Sequence, residues 1–349
     1  MYQLKLGGLY IEITSVCNRK CPYCYNDSTE VGKILNQELL FRIFEECHRL
    51  GITSISLSGG EPFLHPNIYE ILSKIEELQM RATIVTNLSP LPIEKAVEIA
   101  KRGHKLQLTL DHPEEEINDL TRGKGSYRLV IDLLERFRQE ELTRRVAFRY
   151  NVSKCNYERI EEVIKLAIYY GIKQMDVALL FKSGRGCSYE EVFDYTKDLL
   201  QLGKIVAYCK TLKEYYAKEI DLGYTTLDTQ LGCVLFGDGE LSIGPKIEPN
   251  GDVYVCQLFS GKENVLGNIK ESSLEEILSS VTAHHVVDRV RDRKQKQKDC
   301  TGCGFNDVCM CGCPAVSYNQ TGNLFDKNDQ CSMIKFFLKE RIKQIGVSV

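Results

Sequence analysis

At 349 residues, with 43% hydrophobic and 27% charged side chains, the chain is long enough for one large domain and a smaller one around a sizeable core. A formal net charge of -3, spread without long blocks of one sign, excludes the basic footprint of a nucleic-acid binder, and no apolar stretch is long enough to cross a bilayer. Residues 1–8 lack the apolar core and cleavage site of an export signal, so the 15 cysteines are expected in the reducing cytoplasm, where clustered thiols serve as metal ligands or catalysts rather than disulfides.

From residue 9 to about 216 one pattern recurs: a short β-branched run, a turn, then an amphipathic helix. The predicted strands are 9–14, 54–58, 81–86, 105–111, 145–152 and 174–181, and their apolar content with little polar alternation predicts parallel strands buried on both faces. The first helix shows apolar residues at spacings of three and four (Leu39, Ile43, Phe44, Leu50), with Asn36 as its N-cap and Gly51 closing it. Strict alternation implies right-handed crossovers and an α/β fold, a partial (β/α)6 TIM-like barrel, six units being too few to close the eight-stranded form. Chemistry in such folds sits at the C-terminal ends of the strands, here residues 15–26, 59–65, 87–90, 112–125, 153–156 and 182–188.

Past about Gly232 the alternation stops. Residues 243–248 and 252–256 read as a β-hairpin turned at Pro249-Asn250-Gly251. The region from Cys233 onward holds eight cysteines among Gly, Asn and Asp, too little apolar matter for an ordinary core, so metal is expected to hold this small α+β domain together. The boundary is expected near residue 230, dividing 1–230 from 231–349, with residues 188–230 as a helical bridge. The basic run 289–298 reads as a solvated face, and His65 and the His284-His285 pair show no ligand spacing.

The first strand runs directly into Cys17-Asn-Arg-Lys-Cys21-Pro-Tyr-Cys24. Three thiols in one loop, not four, is the informative count: an iron-sulfur cube wants four ligands, so three leave one iron open, whereas structural zinc is closed by four. Zinc with a donor from elsewhere is the competing reading. This Cys-x3-Cys-x2-Cys resembles the signature of the radical S-adenosylmethionine (SAM) superfamily, and Ser58-Gly59-Gly60-Glu61-Pro62 at the end of the second strand is similar to that family's GGEP motif. The resemblance implies that the open iron chelates SAM, that Tyr23 lies against the adenine, and that Glu61 faces the ammonium group. It also implies polar residues near the cofactor at Asn87, Asp111 and Arg122, and at Arg185 after the sixth strand.

The C-terminal cysteines resemble the SPASM domain, an auxiliary-cluster extension of radical SAM enzymes that act on peptides and proteins: Gly251-x4-Cys256, then Cys300-x2-Cys303-x5-Cys309-x3-Cys313, then Cys331. That resemblance assigns Cys300, Cys303, Cys309 and Cys331 to a distal cluster, and Cys233, Cys256 and Cys313 to an inner one, open unless Cys311 or the substrate completes it. The implied cofactors are three 4Fe-4S clusters and SAM. Zinc-ribbon spacing is the competing reading of residues 300–313. Cys47 and Cys209 read as buried hydrophobes, while Cys155 and Cys187, just past predicted strands, are candidate hydrogen-atom donors.

The resemblance implies an oxidoreductase that matures a ribosomally synthesised precursor peptide, installing a carbon-carbon or thioether crosslink with electrons from a flavodoxin- or ferredoxin-type reductant. The few residues before Tyr10 leave no room for a fused leader-binding domain, so recognition is expected at the barrel mouth, in the auxiliary domain or through a separate leader-binding protein. A peptide epimerase and a formylglycine-forming sulfatase maturase are rivals. The second is disfavoured, because that family carries an acidic residue after the inner-cluster cysteine and this chain carries Gln257. A non-catalytic iron-sulfur electron carrier is the rival from another class.

Overall fold

The computed structural model describes residues 2–224, 233–236, 239–306, 309, 311–327 and 329–344. After a short strand β1 (Gln3–Leu6), the chain alternates β2 (Tyr10–Thr14), α1 (Gln37–Arg49), β3 (Ser54–Gly59), α2 (Ile68–Glu77), β4 (Arg81–Val85), α3 (Ile93–Lys101) and β5 (Lys105–Thr109). It continues through α4 (Glu115–Arg122), α5 (Ser126–Gln139), β6 (Val146–Val152), α6 (Ile160–Tyr169), β7 (Gln174–Leu179), α7 (Leu199–Tyr215) and β8 (Asp221–Gly223). Strands β2 to β7 lie side by side in sequence order and all parallel, the six-stranded open barrel expected from the pattern.

Local signals account for the helix ends. Asn36 accepts from the backbone N–H groups of Glu38 (2.8 Å) and Leu39 (3.3 Å), so α1 starts where its cap satisfies orphan donors. The chain leaves α1 at Gly51, whose φ of 78° is left-handed and suits glycine. Between these ends Leu39, Leu40, Ile43, Phe44 and Cys47 are buried on the sheet, each large apolar side chain contributing about 1.5–3 kcal/mol.

The strands differ from expectation in one respect that matters for function. Their two faces are unlike: on β6, Val146, Phe148, Tyr150 and Val152 are buried against the helices, while Ala147, Arg149 and Asn151 are half-exposed on the other side. On β5, Leu106 and Leu108 are buried and Gln107 and Thr109 are not. Six strands that do not close leave the inner face of the sheet uncovered by helices, so it meets water or ligand and stays polar.

The sheet does not end at β8. Strands β9 (Glu240–Ile243), β10 (Lys246–Ile247), β11 (Asp252–Tyr254) and β12 (Gly267–Asn268) follow, then α8 (Leu274–Ser279), α9 (Val281–Lys296), α10 (Pro314–Thr321) and α11 (Gln330–Gln344). Strand β10 adds in parallel to the free edge of β2, with Lys246 opposite Tyr10 and Ile247 opposite Ile11, and β11 and β12 continue antiparallel. The expected hairpin is β10–β11; Ile243 belongs instead to β9, which pairs with β1, a strand the sequence pattern did not reveal. The expected boundary near residue 230 falls within 225–232, outside the described residues.

The basic run corrects a second expectation. It forms the end of α9, and there Arg293 is fully buried, donating to the carbonyls of Leu324 (2.8 Å), Gly312 (3.3 Å), Asp326 (2.9 Å) and Cys311 and to Ser317 Oγ (2.6 Å). It ties α9 to the cysteine-bearing loop. Among the described residues no helix is long and apolar enough to cross a membrane.

Candidate active site

The loop after β2 carries Cys17, Cys21 and Cys24, and several elements hold it. The N–H of Ser15 donates to Lys33 O (2.9 Å) and that of Cys17 to Thr29 O (2.7 Å), folding the loop back on itself. Beside it, the N–H of Gly60 donates to Thr14 O (2.7 Å) and that of Glu61 to Val16 O (2.8 Å). A Cβ on Gly59 or Gly60 would collide with the carbonyl of Thr14 or Val16, so the two glycines let the end of β3 close on the root of the cysteine loop.

Glu61 and Arg185 each bond to neighbouring protein groups beside the cysteine loop. Glu61 is fully buried and accepts from Thr86 Oγ1 (2.8 Å), the Asn87 N–H (2.6 Å) and the Phe63 N–H (3.1 Å), knitting the ends of β3 and β4. Burial pushes its carboxyl up to about 7, against these bonds, which pull it down. Pro62 opens a short turn beside it. Arg185 grips the cysteine loop: Nε donates to Cys21 O (2.9 Å), Nη1 to Ser28 O and Asp27 Oδ1 (both 2.9 Å), and its own N–H to Cys24 O (3.0 Å).

Over this loop lies a cavity of about 310 Å³, within the usual range for small-molecule sites. Of the expected cofactor residues, Tyr23, Ser58, Gly59, Gly60, Asn87 and Arg122 line it together with the three thiols; Glu61, Pro62, Asp111 and Arg185 do not. Asp111 stands one step behind, accepting from the Tyr23 hydroxyl and from Thr121 Oγ1 (3.1 Å), while Arg122 Nη1 donates to the same Tyr23 hydroxyl (3.2 Å). Asn87 Nδ2 reaches Asn18 Oδ1 (3.2 Å) and Cys17 Sγ (3.8 Å).

Sequence reasoning missed other parts of the wall, among them Tyr10, Gln107, Thr109, Arg149 and Asn151 from the strands and Leu258 from beyond Cys256, and it named Gln257 without placing it there. Period-two alternation along β2, β5 and β6 was the available signal for the strand residues. Tyr10 donates to Ser58 Oγ (2.6 Å) and shares a hydrogen bond with Tyr25 (2.9 Å).

Among the described residues the cavity wall offers the three thiols but no fourth Cys, His, Asp or Glu. Among the described residues no three such side chains converge as ligands of a single ion would; a cube of four irons takes each thiolate on its own iron. The donor set therefore fits a cluster with one iron open.

Farther on, Cys233, Cys256 and Cys313 act on one another electrostatically; burial pushes Cys256 up to about 12 and Cys233 up to about 11, and Cys313 adds to both. Cys300, Cys303, Cys309 and Cys331 line a separate small pocket. Cys311 lines it too, hydrogen-bonded to Cys300, so it joins the distal thiols rather than the inner three. Cys155 and Cys187 are exposed and lie off the cavity wall; Cys155 Sγ contacts Ser153 Oγ (3.0 Å). Cys47 and Cys209 are buried, as expected.

Residues 11–167 match the sequence profile of the Radical SAM superfamily, and residues 242–304 that of SPASM, an iron-sulfur cluster-binding domain. The AdoMet-dependent heme synthase of Methanosarcina barkeri is 28% identical over 92% of this chain and 94% of its own length. Mycofactocin maturase MftC of Mycolicibacterium smegmatis is 26% identical over 88% of this chain and 78% of its own. The solved structure of anSMEcpe with bound AdoMet and a peptide superposes with a TM-score of 0.74 at 18% identity, covering 98% of both chains, a likeness of fold.

Proposed function

The chain belongs to the radical SAM superfamily and carries a SPASM iron-sulfur domain, and on that premise we propose that it matures a ribosomally made precursor peptide. One observation carries this reading: the wall that holds Cys17, Cys21 and Cys24 is completed by Gln257 and Leu258, the residues directly after Cys256. A substrate in that chamber would stand between the first cluster site and the inner auxiliary one. Kinship with mycofactocin maturase supports a peptide as that substrate.

In this reading Cys17, Cys21 and Cys24 hold the first 4Fe-4S cluster, Cys233, Cys256 and Cys313 the inner one, and Cys300, Cys303, Cys309 and Cys331 the distal one, three in all. When bound, the first cluster and SAM supply a 5'-deoxyadenosyl radical able to take a hydrogen atom from the substrate. The chain's own residues position and exclude. Tyr23, locked by Asp111 and Arg122, presents a fixed aromatic wall, Asn87 stands against the Cys17 sulfur, and Arg185 stiffens the loop from behind. Gly59 and Gly60 open their backbone to the chamber, and Ser58 is oriented by Tyr10. The barrel of residues 1–230 and the auxiliary domain of 231–349 share this chamber, and the product is a carbon-carbon or thioether crosslink. A flavodoxin- or ferredoxin-type reductant, a separate leader-binding protein and a cytoplasmic site complete the proposal. Gln257 in the wall supplies no carboxylate base, which speaks against formylglycine formation. The exposure of Cys155 and Cys187 speaks against their donating a hydrogen atom inside the chamber as an epimerase requires.

The test is anaerobic reconstitution followed by dithionite reduction with SAM. Release of 5'-deoxyadenosine is expected, and coexpression with a candidate peptide should leave that peptide lighter by two hydrogens. Replacing Cys17, Cys21 and Cys24 with Ala should remove about a third of the bound iron and all deoxyadenosine. Iron retained at the wild-type level would refute the assignment. A tetrapyrrole substrate is the second reading, favoured by the near full-length match to the heme synthase, and turnover of a porphyrin precursor with no change in any peptide would select it.

A further inference from the structure

The chamber wall is asymmetric in charge. Three arginines reach it, Arg19, Arg122 and Arg149, and among the described residues no Asp or Glu does. Arg19 and Arg122 serve the cysteine loop and its neighbourhood: Arg19 Nη1 donates to Lys124 O (3.0 Å), and Arg122 holds the Tyr23 hydroxyl in front of Asp111. Arg149 sits on the lumen face of β6, away from the cysteine loop in sequence and in strand order. Its Nη1 meets Asp176 Oδ2 at 2.8 Å and its Nε meets Asn151 Oδ1 at 3.3 Å. Its side chain is 28% exposed, to the chamber. Asp176 leans toward β8, where a Cβ at Gly223 would stand 3.0 Å from its Oδ1.

The same wall has an apolar part, made by Leu179, Leu180, Phe181 and Leu258. An apolar substrate body lodged there expels the water that solvates Arg149, and its remaining N–H donors then need an acceptor or cost the full desolvation of a charged group. A carboxylate matches the guanidinium fork in geometry and charge.

We propose that Arg149 anchors a carboxylate of the substrate inside the barrel, so that the reacting segment presents an Asp, Glu or terminal carboxylate next to an apolar group. This deepens the reading of the chamber as a substrate site and rests on it. SAM also carries a carboxylate, and the experiment separates the two sources.

The probes are hydrocinnamate, an apolar body with a carboxylate, and its neutral amide, titrated calorimetrically into the anaerobically reconstituted, SAM-loaded protein. Wild type is expected to bind the acid at least about tenfold more tightly than the amide, and Arg149→Gln to bring the two within about twofold. Equal binding by wild type, or a preference that survives in Arg149→Gln, overturns the proposal. Should Arg149→Gln weaken SAM binding about tenfold and leave the acid preference standing, the carboxylate is the cofactor's and the proposal also falls. If melting shows Arg149→Gln unfolded, Arg149→Lys decides: a point charge without the fork should cut the acid-to-amide ratio at least about threefold, and an unchanged ratio overturns the inference. Deoxyadenosine release by the same wild-type preparation, without either probe, reports on the radical SAM reading separately.

Discussion

A motif can be legible while the work of its residues is not, and Glu61 illustrates why. Gly-Gly-Glu-Pro was visible at the end of β3, but only the folded chain puts all three of its hydrogen bonds on Thr86, Asn87 and Phe63, in a place where burial lifts its carboxyl to about 7. The folded state then holds that proton more tightly than the unfolded chain, whose carboxyl titrates near 4.5. Its stabilising contribution is whole below pH 4.5 and is lost as pH climbs through about 7. The urea unfolding free energy of the wild-type protein should therefore decline across that window, by an amount on the order of 3 kcal/mol. Glu61→Gln, with no proton to lose, should flatten the decline; a slope that persists would place the titration elsewhere.

Among elements, α9 departs furthest from its sequence. Read along the chain, residues 289–298 are an unremarkable solvated run, since Lys and Arg interleave with Asp and Gln. Helical geometry turns Arg293 inward, and five acceptors from the loop of Cys311 and from residues 317–326 close around it. No periodicity marks such a residue, because a buried arginine is specified by distant carbonyls rather than by its neighbours in sequence. Arg293→Met should cost about 3–5 kcal/mol in urea unfolding, leaving those acceptors buried and unpaired. A loss under about 0.5 kcal/mol, the range of an ordinary surface change, would return the residue to the surface reading. By contrast the start of α1 was fully legible, for an N-cap bonds its own next residues and needs nothing from afar.

For the molecule as a whole, the seam between β2 and β10 makes the C-terminal part continuous with the barrel sheet. Without that part, β2 would present an unpaired parallel edge at the root of the cysteine loop. A fragment of residues 1–224 should therefore associate or precipitate on gel filtration, and a soluble monomer with a cooperative melt would show that the seam is dispensable. The sequence by itself determined the six alternating units, the cysteine spacings and the hairpin signal at Asn250-Gly251, because each depends on residues a few positions apart: a helical or strand period, a ligand loop, a turn. Tertiary structure alone decided that Gln257 and Leu258 complete the barrel chamber, that Cys311 joins the distal thiols, that Glu61 and Arg185 brace the site instead of lining it, and that Arg149 faces the lumen. The placements of Gln257, Leu258, Arg185 and Arg149 come from strand order and sheet curvature, which bring together segments more than a hundred residues apart, while Glu61 reaches across neighbouring strands to Thr86 and Cys311 folds back on Cys300; no local pattern encodes any of them.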